Sequence, residues 1–565
     1  MVQPLHWNHA KLSGVQSHGT YNFRSVNHRS VNRRSVNRRS VGYGSMPNAD
    51  DSCCPFQSIF SIARLLRLTI SLETTRPPCD SNRIMELRMF RTICLSAICL
   101  VSLGNNAVAF DTGHHSDLTR AAMMEFSFSD DSIRTAQVAN WLTDYYSSNK
   151  AFPEIQDECQ KLHFDNLYSN KDVTWYWQQL TDNIRVATVD AAKTKDKAKM
   201  LAVLGISLHA VQDFYSHSNW VESHPRIAGA AYRTETWWSA GAPSGVSLTT
   251  GKYEPYPSPP PSNVPEHGGY HSGLNKDSCV RPKWDEAYVF AYCACCQLVG
   301  SMEQWANQEQ PGFWNSVTQF SLGDSERKKI AKDFKAAYEV SLWVAGVAGA
   351  DGHWKGNLSG SKDEFATATV RFAASANSIM VKQFRDKDTH KLLSKGLYSG
   401  PPPSTVNTIV AYNLKRQVVS VRITRVSEKD DVGTFERKID PGGTADFYAN
   451  VQIGSRSFVE RTAQNKQTVN NLSWTICFCD RTLTSLPIVV GIVDEDLDAD
   501  DVCDLSPKVG QADLRFNFHF SNQSLSGDLT GVHATPASAA KSSGEKPDKD
   551  RAEIELIANR TLVGS

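Results

Sequence analysis

The sequence predicts a multidomain chain, an all-α domain followed by an antiparallel β-sandwich. Three observations predict it. Helical periodicity recurs from residue 110 to about 398, the chain is broken at Gly400-Pro-Pro-Pro-Ser404, and short alternating or β-branched runs follow. At 565 residues, 40% hydrophobic and 10% aromatic, the chain has enough apolar material for two or more cores. Its 60 Lys+Arg and 60 Asp+Glu cancel, but unevenly: residues 1–109 carry 13 basic and 5 acidic side chains, leaving the remainder with 47 against 55, a net of −8. That balance disfavours a body built to bind polyanions.

Residues 1–84 include RSVNH, RSVNR, RSVNR and RSVG in tandem at 24–42. With no apolar face to bury, this low-complexity stretch reads as disordered or as a misassigned start. Residues 85–109, MELRMFRTICLSAICLVSLGNNAVA, place Arg88 and Arg91 before an apolar core from Ile93 to Leu103 and end on Ala107-Val108-Ala109. These are the three parts of a secretory signal peptide, so the chain is expected to be secreted with Phe110 as its new terminus. Eight cysteines follow (159, 279, 293, 295, 296, 477, 479 and 503), an even number that suggests disulfides in an exported protein.

Within the all-α domain, 110–398, periodicity predicts helices over 115–126, 130–146, 172–192, 198–217, 283–306, 325–347 and 362–385. In the fourth, Leu201, Leu204, Leu208, Val211 and Tyr215 form one core-facing stripe. The Pro-, Gly- and aromatic-rich stretch 223–272 predicts a long loop over the helical body. In the β-sandwich, 404–530, VVSVRITRV, TADFYANVQI, RSFVERT, SWTICF, SLPIVVGIVDED and ADLRFNFHF read as strands, and 531–565 is expected to be a disordered tail.

The chemistry concentrates where histidines sit among carboxylates. In LHAVQDFYSHSNW, His209, Asp213 and His217 stand at i, i+4 and i+8, spanning about 80° of a helix surface. Two imidazoles and a carboxylate on one rigid stripe are suited to Zn²⁺. The bland alternative is a polar helix edge or a buried His–Asp pair. Further clusters follow the same composition: FDTGHHSDLT with His115, NWLTD with Asp144, KLHFDN with His163 and Asp165, and HGGYHSGLNKD with His267, His271, Asn275 and Asp277. Asp165 and Asp277 equally suit caps or turns.

Taken in order, these motifs resemble the zinc-dependent phospholipase C and single-strand nuclease superfamily, and are most similar to its fungal heterokaryon-incompatibility C branch and related secreted proteins. The resemblance spans about 110–385. It implies that Asp144, His163, His209 and Asp213 hold one zinc and that Asp213 bridges to a second, which takes His115 and the amine and carbonyl of Phe110. It implies that His217 and His271 hold a third. Two positions depart from the family pattern: its H-x3-D-x5-H spacing falls on Asn219, and its last carboxylate falls on Asn275. Asp277 or Glu222 would substitute, or the site holds two metals.

Clustered zinc generates hydroxide near neutral pH and neutralises a phosphodiester. The resemblance thus implies a secreted phosphodiesterase of phospholipase C type, with Asp144 orienting or deprotonating the water. Single-strand nuclease action and a non-catalytic interaction protein with structural zinc are the alternatives. In the second domain, seven carboxylates fall between Asp494 and Asp504, and Asp440 and Asp446 precede another strand. Asp440, Asp446, Asp494 and Asp496 are candidate Ca²⁺ ligands in an arrangement that resembles calcium-dependent lipid-binding β-sandwiches; a solvated acidic turn is the alternative. The expected partner is a phospholipid or membrane surface, with nucleic acid a lesser candidate and no obligate protein partner.

Overall fold

The computed structural model describes residues 112–148, 152–227, 230–232, 235–242, 244–253, 260–267, 273–279, 281–334, 378–401, 409, 414–429, 447–460, 468–494, 501–533, 538–544 and 551–563. All lie within the unit Arg88–Ser565. The region 1–84 and the expected signal peptide, 85–109, fall outside the described residues. The chain runs as a helical region followed by antiparallel sheets.

The helical body contains α1 (Thr112–Met124), α2 (Asp130–Ser148), α3 (Pro153–Gln160), α4 (Asn170–Lys193), α5 (Lys197–His217), the short α6 (Trp220–Ser223) and α7 (Trp237–Ala240), and α8 (Trp284–Glu309). Local chemistry sets their starts. Ser169 accepts from the backbone N–H of Asp172 to cap α4, Asp196 accepts from that of Lys199 to cap α5, and Pro153 opens α3.

Every residue of α5 from Met200 to His217 is buried. The apolar stripe predicted for one face is therefore only part of its packing: α1, α2, α4 and α8 all lie against it. A helix enclosed on all sides must be apolar or internally satisfied all round, and that enclosure is what places His209, Asp213 and His217 in the interior. Gly205 sets the closest approach. A Cβ there would lie 2.2 Å from Ala136 O and 2.8 Å from Ala139 Cβ, so only glycine lets α2 come near enough for Asn140 and Asp144 to reach α5.

The sheets form from β1 (Arg416–Glu428), β2 (Phe447–Ile453), β3 (Arg456–Glu460), β4 (Thr468–Cys479), β5 (Ser485–Asp494), β6 (Asp501–Val502), β7 (Leu514–His519), β8 (Ser524–Gly527), β9 (Gly531–His533), β10 (Ser538–Ser543) and β11 (Ala552–Val563). One sheet has the order β4-β1-β11-β10-β9 and the other β3-β2-β5-β7-β8, with β6 on β5. Their inner faces share one core that includes Val421, Ile423, Val451, Ile488, Val490, Phe516 and Phe518.

The described residues 531–533, 538–544 and 551–563 do not form the expected disordered tail. They supply β9, β10 and β11, and β11 lies between β1 and β10. Its alternation buries Ile554, Leu556 and Ala558 while polar residues face outward, a period-two pattern within a polar composition. The sandwich core thus extends well past residue 530.

The expected disulfides are not seen at Cys159, Cys293, Cys295, Cys296, Cys477 and Cys479, which are free and buried. Three sit on α8, where helix geometry directs them into the core, and burial pushes the Cys295 thiol up to about 12. No described helix is long and apolar enough to cross a membrane.

Helices and sheets share a core. Leu414, Val418, Ile476, Phe478 and Val563 belong to the helical cluster, and Phe478 stacks on Tyr292 with ring centroids 3.6 Å apart. Arg416 of β1 pairs with Glu125, and the Tyr232 N–H donates to Leu562 O at 2.9 Å. A chain ending at residue 530 would expose one edge of β1 and remove Val563 from the shared core. We expect such a chain to be insoluble, or to unfold without a cooperative transition by circular dichroism. A soluble product with the full-length melting temperature would contradict the placement of β11.

Candidate metal centre

Five imidazoles and four carboxylates meet around the C-terminal half of α5. His115 comes from α1, Asp144 from α2, His163 from the 3-10 turn after α3, and His209, Asp213 and His217 from α5. Asp165 follows the turn, and His267 and Asp277 come from the irregular chain between α7 and α8. All are buried, with exposures of 0–7%. Three groups have ligand atoms within 4.8 Å of one another: His115/His209/Asp213, Asp144/His163/His209 and Asp165/His217/His267. The first two share His209.

The turn that delivers His163 and Asp165 is strained. Phe164 between them is fully buried at φ 55, and Asn166 sits at φ 61, a left-handed region unfavourable to a bulky side chain. Phe164 is held there by its ring's neighbours Tyr176 and Trp177, at centroid distances of 4.2 and 4.6 Å. That packing turns the residues on both sides toward α5.

Hydrogen bonds fix the imidazole faces. Nδ1 of His163 donates to Cys159 O at 2.9 Å, and Nδ1 of His217 to His163 O at 2.9 Å. Nδ1 of His115 donates to Gln212 Oε1 at 2.5 Å, and Nδ1 of His209 faces Asn140 Oδ1 at 3.4 Å. With a proton on Nδ1 of these four imidazoles, their Nε2 atoms face the carboxylates and would offer lone pairs to a metal once discharged. Nε2 of His163 and Nε2 of His209 then stand 3.3 Å apart.

The remaining separations are of the same size. His163 Nε2 to Asp144 Oδ1 is 3.3 Å, His209 Nε2 to Asp144 Oδ1 3.8 Å, His115 Nε2 to Asp213 Oδ1 3.1 Å, and His209 Nε2 to Asp213 Oδ2 3.2 Å. A tetrahedral ion with bonds of about 2.0–2.1 Å has ligand–ligand edges of about 3.4 Å. Asp144 Oδ2, both oxygens of Asp213 and Asp165 Oδ1 are buried without an aligned hydrogen bond, as oxygens reserved for a cation would be. The donor set fits a transition metal.

Without metal the groups polarise one another. Burial works against charging His163, but its hydrogen bond to Asp144 and the charges of Asp213 and Asp144 carry it up to about 9. Burial likewise opposes His217, yet Asp277, Asp165 and Asp213 raise it to about 10. Burial dominates at His209 and lowers it. At Asp213, burial is overcome by the surrounding imidazoles, which hold the carboxyl well below its usual range.

His271 and Phe110 lie outside the described residues; among the described residues, His267, not among the expected ligands, joins Asp165 and His217, its ring centroid 4.2 Å from that of His217. Asp277 completes the group, 3.3 Å from His217 Nε2. Glu222 is instead engaged by Lys276 at 3.3 Å. His267 is placed by a close backbone crossing: Gly251, whose N–H donates to His217 O at 3.0 Å, would meet His267 Cα at 2.3 Å if it carried a Cβ. Sequence spacing holds no trace of that crossing. Of the candidate calcium ligands, Asp440, Asp446 and Asp496 lie outside the described residues, while Asp494 ends β5 in register with Phe447 and Asp501.

Residues 120–227 match the model of the VWA7 N-terminal domain. That stretch contains Asp144, His163, Asp165, His209, Asp213 and His217. The von Willebrand factor A domain-containing protein 7 of Mus musculus is 32% identical over 203 residues, covering 30% of this chain and 20% of that protein. Its Rattus norvegicus counterpart is 32% identical over 244 residues, covering 38% and 24%. The chain therefore spans about a fifth to a quarter of the length of these relatives.

Among solved structures, human GIVD cytosolic phospholipase A2 aligns over 27% of this chain and 17% of its own, at 13% identity and a TM-score of 0.18. A C2 domain protein from Ramazzottius varieornatus aligns over 26% and 90%, at 13% identity and a TM-score of 0.18. Overlap that low has no bearing on fold, calcium or lipid.

These matches overturn the expected activity. The family model and the relatives carry a von Willebrand factor A name, so the assignment as a secreted zinc phospholipase C, with its hydrolase and phosphodiesterase vocabulary and its nuclease alternative, is withdrawn.

Two measurements follow from the geometry. Zinc added to metal-free protein at pH 7 should release protons, because His163 and His217, at about 9 and about 10, are charged there and must discharge to bind. Their raised values also stabilise the metal-free fold fully below 6.5, and that stability is lost as pH rises through 9 and 10. An indicator-dye titration showing no proton release would contradict the charge assignment. Gly251→Ala should displace His267 and cost one metal per chain while leaving the His209 groups loaded; unchanged metal content would refute the crossing's role.

Proposed function

We propose that the helical body is a metal-holding module with a buried cluster of two or three zinc ions, and that it shares the helical zinc-site architecture of the superfamily its motifs resemble. The observation that carries this reading is the approach of His163 Nε2 to His209 Nε2 at 3.3 Å with both Nδ1 atoms facing backbone or amide oxygens. Two facing ring nitrogens in a buried interior call for a cation between them, a proton in the metal-free protein or a metal ion that takes its place. Nitrogen and carboxylate donors at tetrahedral spacing favour zinc over calcium, which takes six to eight oxygens at longer range.

His209 and Asp213 stand at the centre: His209 belongs to two groups, and the two oxygens of Asp213 face His115 and His209 respectively. Ligand exposures of 0–7% support a closed site, and closed zinc sites contribute folding energy outright. Under this reading the corresponding domain of the von Willebrand factor A domain-containing relatives is organised by metal, and the sheets of this chain rest on a body that the metal holds together.

Full-length protein should contain two to three zinc per chain by elemental analysis, and His209→Ala should lose two of them. Chelation should lower the melting temperature. With free zinc at a thousandfold excess over its dissociation constant the linkage is about 4 kcal/mol, which is about 8–16 °C for a domain of this size. Protein without bound metal, or with a melting temperature indifferent to chelator, would end the proposal.

A further inference from the structure

The residues behind the two shared ligands form a connected polar array in an otherwise apolar core. Gln212, one residue before Asp213, is fully buried, and Asn140, one turn before Asp144, is 1% exposed. Gln212 Oε1 accepts from Nδ1 of His115 at 2.5 Å and from Nδ2 of Asn140 at 3.1 Å. Its Nε2 donates to Thr119 Oγ1 at 3.2 Å and toward Cys295 Sγ at 3.6 Å. Asn140 Nδ2 also donates to Thr119 Oγ1 at 3.0 Å, and its Oδ1 faces Nδ1 of His209 at 3.4 Å.

We propose that Gln212 and Asn140 are a coupled pair of positioning residues that commit the protons of His115 and His209 to Nδ1, so that both Nε2 atoms face the metals. The inference rests on the metal-holding reading above and deepens it. Gln212 turned the other way would set its N–H against the N–H of Asn140 and of His115; Asn140 turned the other way would set its Oδ1 against Gln212 Oε1 and its N–H against the imidazole N–H of His209. A buried donor left in that position has given up water and gained no partner, so the array has one orientation. The backbone does this work elsewhere: His163 and His217 give their Nδ1 protons to carbonyls of the chain. At His115 and His209, inside helical segments whose carbonyls are engaged, side-chain amides replace them.

The pair also links the two ions. Because Asn140 donates to the same oxygen that receives His115, tilting either amide disturbs ligands in both groups at once. Thr119 and Cys295 brace the array from α1 and α8, so three helices besides α5 fix its position.

The test uses the full chain labelled with ¹⁵N-histidine and loaded with zinc. Long-range ¹H–¹⁵N correlation should show Nδ1-protonated, Nε2-ligated tautomers for His115 and His209; an Nε2 proton or Nδ1 ligation on either overturns the proposal. Gln212→Leu, which fills the space without an acceptor, should weaken zinc binding about 10- to 100-fold in a chelator competition. Gln212→Glu should stay within about a few-fold of wild type and keep the Co²⁺ absorption bands, because a carboxylate accepts from His115 and Asn140 alike.

A Leu variant that binds zinc as the wild type does would overturn the positioning role, and so would a Glu variant as weak as Leu. If Gln212→Leu fails to fold, the tautomers of the wild type decide the matter. Wild-type protein that binds no zinc instead refutes the metal-holding reading itself, a distinguishable result.

Discussion

Nε2 of His163 and Nε2 of His209 stand 3.3 Å apart in a buried space that also contains Asp144 and Asp213, a contact that repels whenever both nitrogens carry bare lone pairs. A proton or a metal ion is the only occupant that turns this contact from repulsive to attractive. One proton serves one pair of atoms, whereas a divalent ion at that point binds both imidazoles and a carboxylate together. Under the metal-holding reading much else in the helical body follows from this demand: an α5 buried all round rings His209, Asp213 and His217 with donors from other helices, and the close approach at Gly205 brings Asp144 to them.

Meeting that demand takes irregular structure as well as regular helices. The helix repeat alone supplies three donors, His209, Asp213 and His217. His163 and Asp165 are turned inward only because Phe164 is held at positive φ by Tyr176 and Trp177, and His267 arrives only because Gly251 lets two backbones cross. Strain at Phe164 persists because aromatic packing outweighs it, and the burial of Asp213 is tolerable because three imidazoles face it.

What the sequence makes legible divides along the same line. The i, i+4, i+8 stripe reads directly from the helix period, whereas the proximity of His115, Asp144 and His163 to it is set by tertiary packing. His267 does not stand out in the sequence, because its place beside His217 is set by a tertiary crossing at Gly251 that leaves no periodic signal. The final strand escapes a reading by composition for a different reason. AEIELIANRTLV alternates as a strand should, but it follows a Ser-, Lys- and Pro-rich stretch whose composition reads as unstructured, and averaging over the whole segment hides the period.

The two halves of the chain are not separable modules. α8 begins at Trp284, whose ring lies 4.8 Å from His114, the neighbour of His115, and 5.9 Å from Trp474 of β4. Farther along the same helix, Cys295 receives Gln212 and Tyr292 stacks on Phe478. One helix thus touches Gln212 and His114 of the candidate site on one side and the β-sandwich on the other. Packed cores transmit displacement because they have few voids to absorb it. Under the metal-holding reading, an ion that fixed His115 would therefore also fix the surface on which the sheets rest, and Val563, at the far end of the last strand, completes the helical core from the sandwich side.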